Sequence, residues 1–485
     1  MSNPRPSRLA LPVAAVAASA ALCGFFAAPN ARATGFLTDQ FGADHGQPAL
    51  GNAYSVYFNP AAMTGMKGSD VTLEGVFAAR SLSFNRSPSA LSPSCGPSPS
   101  SPSCAGTGSA SSPIYQSSNT GPATLFNGLA APYLGYVTDF GGSKFRLGVA
   151  GYVPFGGQVS WGKVGAFQNY PGAPGAYDGP QRWASISAST ASLYGTVALA
   201  YRIEAAHLGI GVSASVINTS IQDTRAHNFD GSDSVIGNGS IVEGRSYLDV
   251  SGVQVGAAAG LYWEPTTTLR LGASYTSQPN FGTMRLSGSF KDYTPGSDVK
   301  PTNVDLLQSL PDVIRFGAAW RVAPDAELRL DGSWQRWSEF TNQCVVISGK
   351  SCSLGNNGSS PNGDVVQNVV RNFQDAFKIR AGGAYWVLPQ TEMFASGSLE
   401  TSPVGSRYED ALIYDNVHVA GTLGVRHGFT KNIYAMAAYT YIYVLPMTVT
   451  DSALATYAQP SKAPSENGQY SASLYILNAA LSYVF

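Results

Sequence analysis

The residue types that do chemistry are sparse in this chain, and their spacing argues against catalysis. The five histidines, His45, His207, His227, His418 and His427, are scattered and share no metal-ligand spacing. There is no G-x-S-x-G elbow. Gly349-Lys-Ser351 matches the end of a phosphate-binding loop, but Cys344 stands where that loop's first glycine belongs. No enzyme, metal or cofactor is therefore expected. Cysteines Cys95 and Cys104, and Cys344 and Cys352, form two close pairs in Ser/Pro/Gly/Asn-rich stretches; with no C-x-x-C spacing they read as loop disulfides of an oxidising compartment. The remaining reactive groups are charges set in alternation with aliphatics: Arg315, Arg329, Asp331, Lys378 and Arg380.

That alternation identifies the elements holding them. In Leu328-Arg-Leu-Asp331, Phe377-Lys-Ile-Arg380 and Ile314-Arg-Phe316, apolar residues recur with a period of two, which places charge and aliphatic on opposite faces of a strand. The last eleven residues repeat the pattern, with Tyr475, Leu477, Ala479, Leu481, Tyr483 and Phe485 on one face. Only 12% of residues are charged, against about 25% in soluble proteins. The chain also has 53 glycines and 25 tyrosines. These features point to an all-β transmembrane barrel, and a net charge of −1 gives no reason to expect nucleic acid. A charge facing mid-bilayer costs about 2–4 kcal/mol, so the five charged residues should point into the lumen.

Fourteen antiparallel strands are expected between residues 69 and 485. Short turns lie on one side and long loops on the other, at 86–128, 155–183, 222–245, 292–307, 339–375, 401–412 and 449–469. The second strand is expected at 129–139, the third at 144–154, the seventh as one run over 268–291 and the eighth at 308–322. In the first, Val71, Leu73 and Phe77 share one face and Leu82 and Phe84 the other, which predicts a bulge near Ala78 to Ser81. A closed barrel has no edge to pair, so a monomer is expected.

The N-terminus reads as an export signal over residues 1–33: basic Arg5 and Arg8, an apolar run, then Ala31-Arg-Ala33. Residues 34–68 do not alternate. They are too few for a core of their own, and form either a plug inside the barrel or a leader. Phe36, Leu37, Phe41 and Phe58 offer apolar contacts to a ligand or to the barrel wall; Asn59, Pro60 and Ala61 form either a turn whose shift would open a path or a simple helix start.

Gly35-Phe36, Ala49-Leu-Gly-Asn-Ala53, Phe58-Asn-Pro-Ala61, Tyr152-Val-Pro-Phe-Gly156, Leu310-Pro-Asp-Val313 and Trp334-Gln-Arg-Trp-Ser338, in this order, make the chain resemble the FadL/TodX family of outer-membrane transporters. The resemblance implies passive uptake of long-chain fatty acids or other hydrophobic compounds across the outer membrane of a Gram-negative bacterium. It implies a hatch at 34–68 inside a barrel at 69–485, and an inward kink of the third strand that opens the wall to outer-membrane lipid. At that strand Gly148, Gly151 and Pro154 are the candidate gating residues. A fatty acid carboxylate needs a cation, for which Arg315, Arg329, Lys378 and Arg380 are the candidates. The competing readings are a water-filled porin and an adhesive or structural barrel. The Ser/Pro-rich stretch 87–118 departs from the family pattern.

Overall fold

The computed structural model describes residues 40–91, 113–237, 240–296 and 300–485. The expectations for residues 1–33, Phe36, Leu37, Cys95 and Cys104 lie outside these residues. The wall is one antiparallel sheet closed on itself. Its strands are β1 (Ser69–Arg86), β2 (Gly121–Thr138), β3 (Phe145–Ser160), β4 (Ser187–Ile203), β5 (Leu208–His227) and β6 (Gly244–Trp263). Strands β7 to β10 each consist of an inner and an outer segment. These are Leu269–Thr276 and Met284–Tyr293 for β7, and Val313–Ala323 and Lys300–Gln308 for β8. They are Ala326–Gln335 and Asn342–Ile347 for β9, and Ala376–Leu388 and Val365–Val370 for β10. The wall is completed by β11 (Thr391–Glu400), β12 (His418–Gly428), β13 (Ile433–Val449) and β14 (Gly468–Val484). The barrel closes where β14 pairs with β1, from Asp70↔Val484 to Arg86↔Gly468.

Period two decides which side chain meets lipid. On β14, Leu477, Leu481, Tyr483 and Phe485 are exposed outward, whereas Leu474, Ile476 and Asn478 are buried in the lumen. Among the described residues no helix is long and apolar enough to cross a membrane. The strands carry the crossing, because every backbone group facing lipid finds its partner in the neighbouring strand.

Four expectations need correction. There is no bulge near Ala78: β1 keeps one register with β2 from Ser69↔Thr138 to Arg86↔Gly121. Its inward face instead changes character, from Asp70, Thr72 and Glu74 below to Leu82 and Phe84 above. Strand β2 starts at Gly121 and β3 continues to Ser160, both further than alternation indicated. The stretches 292–307 and 339–375 contain the outer segments of β8, β9 and β10. Finally, 268–291 is interrupted at Pro279–Phe281, where Asn280 and Phe281 take positive φ of 59° and 55°. The breaks in β7 to β10 fall at one height: the inner segments pair with each other, and so do the outer ones.

Of the two cysteine pairs, Cys344 and Cys352 are joined as a disulfide at the outer end of β9.

Candidate ligand path

Residues 40–68 occupy the inner half of the lumen, leaving a cavity of about 430 Å³ between His45, Asn52 and Tyr54 of the plug and Asp70, Arg329 and Glu392 of the wall. They form short helical turns at Ala43–His45 and Pro60–Gly65 and a single helical turn, α1, at Ser55–Phe58. Asn59 caps the second 3-10 turn by accepting from the Ala61 amide at 3.1 Å, and Pro60 occupies its first position. The same Asn59 amide donates to Pro48 O and, across to the wall, to Leu261 O, both at 2.9 Å. The turn thus starts a helix and anchors it to β6.

The wall makes room for this segment with glycines. A Cβ on Gly148, Gly209, Gly211, Gly260 or Gly272 would collide with Met63, Thr64, Ala61, Asn59 or Pro48 respectively. Gly148 is therefore a packing position against the plug, in a regular part of β3, and Gly151 lies in the same regular ladder with open space around it.

Polar side chains then fix the plug. Glu74 accepts from the Gly42 amide at 2.9 Å and from Asn478 at 2.6 Å, and Asp70 accepts from the Ala53 amide at 3.1 Å. Arg380 donates to Ala43 O at 2.9 Å and Gly46 O at 2.7 Å while pairing with Asp331 at 2.8 Å. Arg315 donates to the Tyr57 hydroxyl at 2.9 Å and lies over its ring. Arg329 joins Glu392 at 2.6 Å, and Glu392 meets His45 of the plug at 3.1 Å. Three of the four candidate cations thus engage the plug or its anchor, at plug height. Lys378 faces the lumen half-buried beside them, opposite Ser333 and Glu400.

Above the plug the lumen changes character. A cavity of about 150 Å³ is walled by apolar groups such as Phe155, Ile221, Leu248, Leu306, Leu310 and Phe340. Arg80, Arg225 and Arg371 reach it, with Asp223, Glu400 and Asp415. Arg371 is held by Asp410 at 2.5 Å and by Gln343 at 2.8 Å, and Arg80 by Tyr414 O at 3.0 Å. The Arg225 guanidinium has an ion-pair partner only in Asp223, at 4.0 Å, and among the described residues no hydrogen bond engages it. Alternation alone did not expose these cations. Arg80 sat inside the supposed phase change, and Arg225 and Arg371 fell in segments read as loop. The β-branched runs Val345-Val-Ile347 and Val365-Val366 were the signal available for the outer segments.

A smaller cavity of about 20 Å³ lies between the two regions, lined by Val56 and Tyr57 of the plug with Tyr152, Pro154, Phe155 and Arg315. Phe155 borders both cavities. Phe41 and Phe58 border neither. Phe41 packs on Tyr57, Tyr133 and Tyr152, with ring centroids 5.4–6.0 Å apart, and Phe58 packs on Tyr57 at 4.8 Å.

Beside this cavity the third strand leaves its neighbour. The β2–β3 ladder runs from Thr138↔Leu147 only as far as Tyr133↔Tyr152. Against β4 the register slips between Tyr152 and Phe155, where Val153 and Pro154 stand opposite Leu193 alone. Proline has no N–H to give the ladder. The two strands meet again only through the Asn127 side chain at Ser160 (3.0 Å) and the Gly162 amide at Thr124 O (3.0 Å).

The extracellular connections close over the outer cavity. Arg182 pairs with Glu243 at 2.9 Å, Arg245 with Asp178 at 2.7 Å, and Arg86 with Asp233 at 2.8 Å. A short helix, α2 (Pro113–Asn119), joins this cluster through Tyr115, which donates to Asp233, and through Asn119, which accepts from Arg182 and Trp183 at 2.9 Å. Burial pushes the Asp178 and Glu243 carboxyls up, but the Lys163 and Arg245 contacts at Asp178, and Arg182 and Arg245 at Glu243, hold both below the usual range. Glu409, in the connection from β11 to β12, is the reverse case: burial, with Asp410 and Asp415 beside it, pushes its carboxyl well above that range.

A family model described as outer membrane protein transport protein (OMPP1/FadL/TodX) matches residues 14–485. No curated protein sequence matches significantly. Among solved structures, a FadL homologue of Pseudomonas aeruginosa superposes with a TM-score of 0.70 at 16% identity, covering 93% of this chain and 98% of the other. The toluene transporter TodX of P. putida gives 0.60 at 15%, covering 94% and 99%. The monoaromatic hydrocarbon channel CymD gives 0.57 at 14%, again covering 94% and 99%. At such identities the likeness carries the fold.

Proposed function

The chain belongs to the OMPP1/FadL/TodX family of outer-membrane transport proteins of Gram-negative bacteria, and from that premise we propose that it takes up hydrophobic compounds passively, long-chain fatty acids foremost. Such a ligand enters the outer cavity, passes Phe155 to the small cavity beside the plug, and leaves sideways where β3 departs from β2. The family is one of transporters and not of enzymes. The protein acts as a monomer, because a closed wall has no edge to share.

The observation that carries this reading is an apolar chamber inside a tube that would otherwise be wet, leading to a wall segment without a ladder. A fatty acid is favoured over a neutral hydrocarbon by Arg225, a buried guanidinium whose ion-pair partner Asp223 stands at 4.0 Å. The carboxylate would take the hydrogen bonds that Arg225 lacks, while its chain lies along Leu248 and Leu306. TodX and CymD are described as carrying toluene and monoaromatic hydrocarbons, so these are the natural competitors.

Mass spectrometry of lipids retained by the purified barrel, followed by uptake of laurate, oleate and toluene into proteoliposomes, tests the proposal. Uptake of the fatty acids with little ion conductance is expected. A large, steady conductance to ions and sugars would make the protein a porin, and toluene uptake without fatty acid uptake would remove the carboxylate from the reading.

A further inference from the structure

The third strand is not the only place where the wall loses its ladder. Strands β6 and β7 pair from Tyr293↔Arg245 to Ser287↔Ser251 on the outer side. Pairing resumes at Thr276↔Ala258, with two further bonds, from the Ser277 amide to Ala257 O at 2.8 Å and from the Ala257 amide to Ser277 Oγ at 3.0 Å. Between these points the nine residues 278–286 of the β7 region stand opposite the five residues 252–256 of β6. The excess forms the Pro279–Phe281 turn.

Three observations give this interval the character of a passage. The first is its position. On its outer surface stand Val253, 70% exposed, Val255 and Phe281, 64% exposed, so it opens onto the apolar band. Asp249 and Ser251, the next outward residues of β6, are polar, which places the interval at the outer rim of that band. The second is what lies behind it. The small cavity beside the plug is lined by Gly256, Ala257 and Ser277 as well as by Pro154, so it touches both interruptions of the wall. The third is what stops it. Gln254, 2% exposed, has no protein hydrogen-bond partner for either amide atom among the described residues, and the amide nitrogen of the buried Gln278 has none either.

A buried amide without a partner costs about 1–3 kcal/mol. Gln254 lies on the inward face of β6, between two residues without side chains, Gly252 and Gly256, and close to the polar Ser251 and Asp249 at the outer rim of the band. Swinging towards the headgroup layer would return its amide to hydrogen-bonding company and vacate the interval. Such a stopper is held by shape alone, unlike the plug, which is held by hydrogen bonds to the wall.

We propose that the interval between β6 and β7 is a second lateral portal, through which apolar molecules dissolved in the outer leaflet reach the cavity beside the plug. It rests on the reading of the chain as a carrier of hydrophobic compounds. It adds a route that bypasses the outer cavity, open to neutral molecules that gain nothing from Arg225.

The test uses the full barrel in liposomes, with Gly256→Cys as a reporter on the cavity wall, where a Cβ meets Ile217 at 3.2 Å and Ser277 at 3.7 Å. N-pyrenylmaleimide is supplied in the bilayer, and glutathione in the water removes reagent arriving through the aqueous lumen. Deleting Pro154 takes out the extra residue of β3; deleting residues 279–282 leaves five residues opposite five. Gln254→Phe, which fills the interval without shortening the chain, serves if that deletion does not fold. With Pro154 deleted, labelling should persist within about twofold; it should fall about tenfold when the β6–β7 interval is closed as well. Loss of labelling on deleting Pro154 alone, or labelling undiminished by both closures, overturns the portal. This readout does not depend on transport, so a wild-type protein that takes up no fatty acid would refute the proposed substrate and leave the labelling result to be read on its own.

Discussion

The inner and outer halves of the lumen are built on opposite principles, and β1 carries both. Its inner half presents Asp70 and Glu74 to backbone amides of the plug; its outer half presents Leu82 and Phe84 to a hydrophobic surround. The plug packs buried apolar residues, Phe41, Tyr54, Val56, Tyr57, Phe58 and Met63 among them, and is in addition held by directed bonds, with wall glycines letting backbone approach backbone. The outer cavity has few such bonds at its centre, and leaves apolar wall and one loosely matched guanidinium for a guest. A transporter needs this division: what must stay is bonded, and what must pass is only desolvated.

The comparison breaks most severely at Arg329. Replacing it with Gln leaves Glu392 and Glu327 buried without their shared partner, which should cost about 3–5 kcal/mol. Thermal unfolding should show the loss, while affinity of the residual folded barrel for a ligand of the outer cavity stays the same. Gly211→Val tests the plug by shape instead of charge. Its side chain would enter the space of Pro60 and Ala61, at about 1–3 kcal/mol, and single-channel conductance should rise as the plug is displaced.

The outer half should respond to a different change. Arg225→Gln should weaken laurate binding by about 1–2 kcal/mol, roughly tenfold, and leave toluene binding and unfolding temperature nearly unaltered, as titration calorimetry would show. A plug-level role for Arg225 would reverse that pattern.

The smallest effects belong to the extracellular cover. Asp178 and Glu243 have folded pKa values below their unfolded ones, so their contribution is present above the ordinary carboxylate range and is lost as pH falls through the depressed values. Glu409 has a raised folded pKa, so its contribution is present in acid and is lost as pH rises through that value. Hydrogen exchange should therefore accelerate in 161–186 as pH falls below the ordinary carboxylate range, and in 401–417 as pH rises well above it. Identical pH responses in the two connections would contradict both assignments.

Much of the wall was legible from one dimension, because the period of two is a local property. Arg315, Arg329 and Arg380 point into the lumen for the same reason that Leu481 and Phe485 point out. The role of those cations was not legible. Lumen-facing charge fits a ligand headgroup and a plug contact equally well, and only tertiary structure brings Arg380 onto Ala43 and Gly46 and Arg315 onto Tyr57. The apparent phase change in β1 was misread for a related reason. Alternation reports which residues are apolar, and in a barrel with an apolar chamber the inward face becomes apolar too.

The sequence by itself determined a closed antiparallel wall, its lipid-facing phase, its short turns and long loops, and the turn begun by Asn59 and Pro60, all of which depend on neighbours a few residues apart. Tertiary structure alone decided which glycines admit the plug, that Arg225 and not Arg315 faces the outer cavity, and that β2 parts from β3 and β6 from β7. Those outcomes depend on residues tens to hundreds of positions apart meeting across a lumen, and on ladder bonds that one extra residue in one strand is enough to undo.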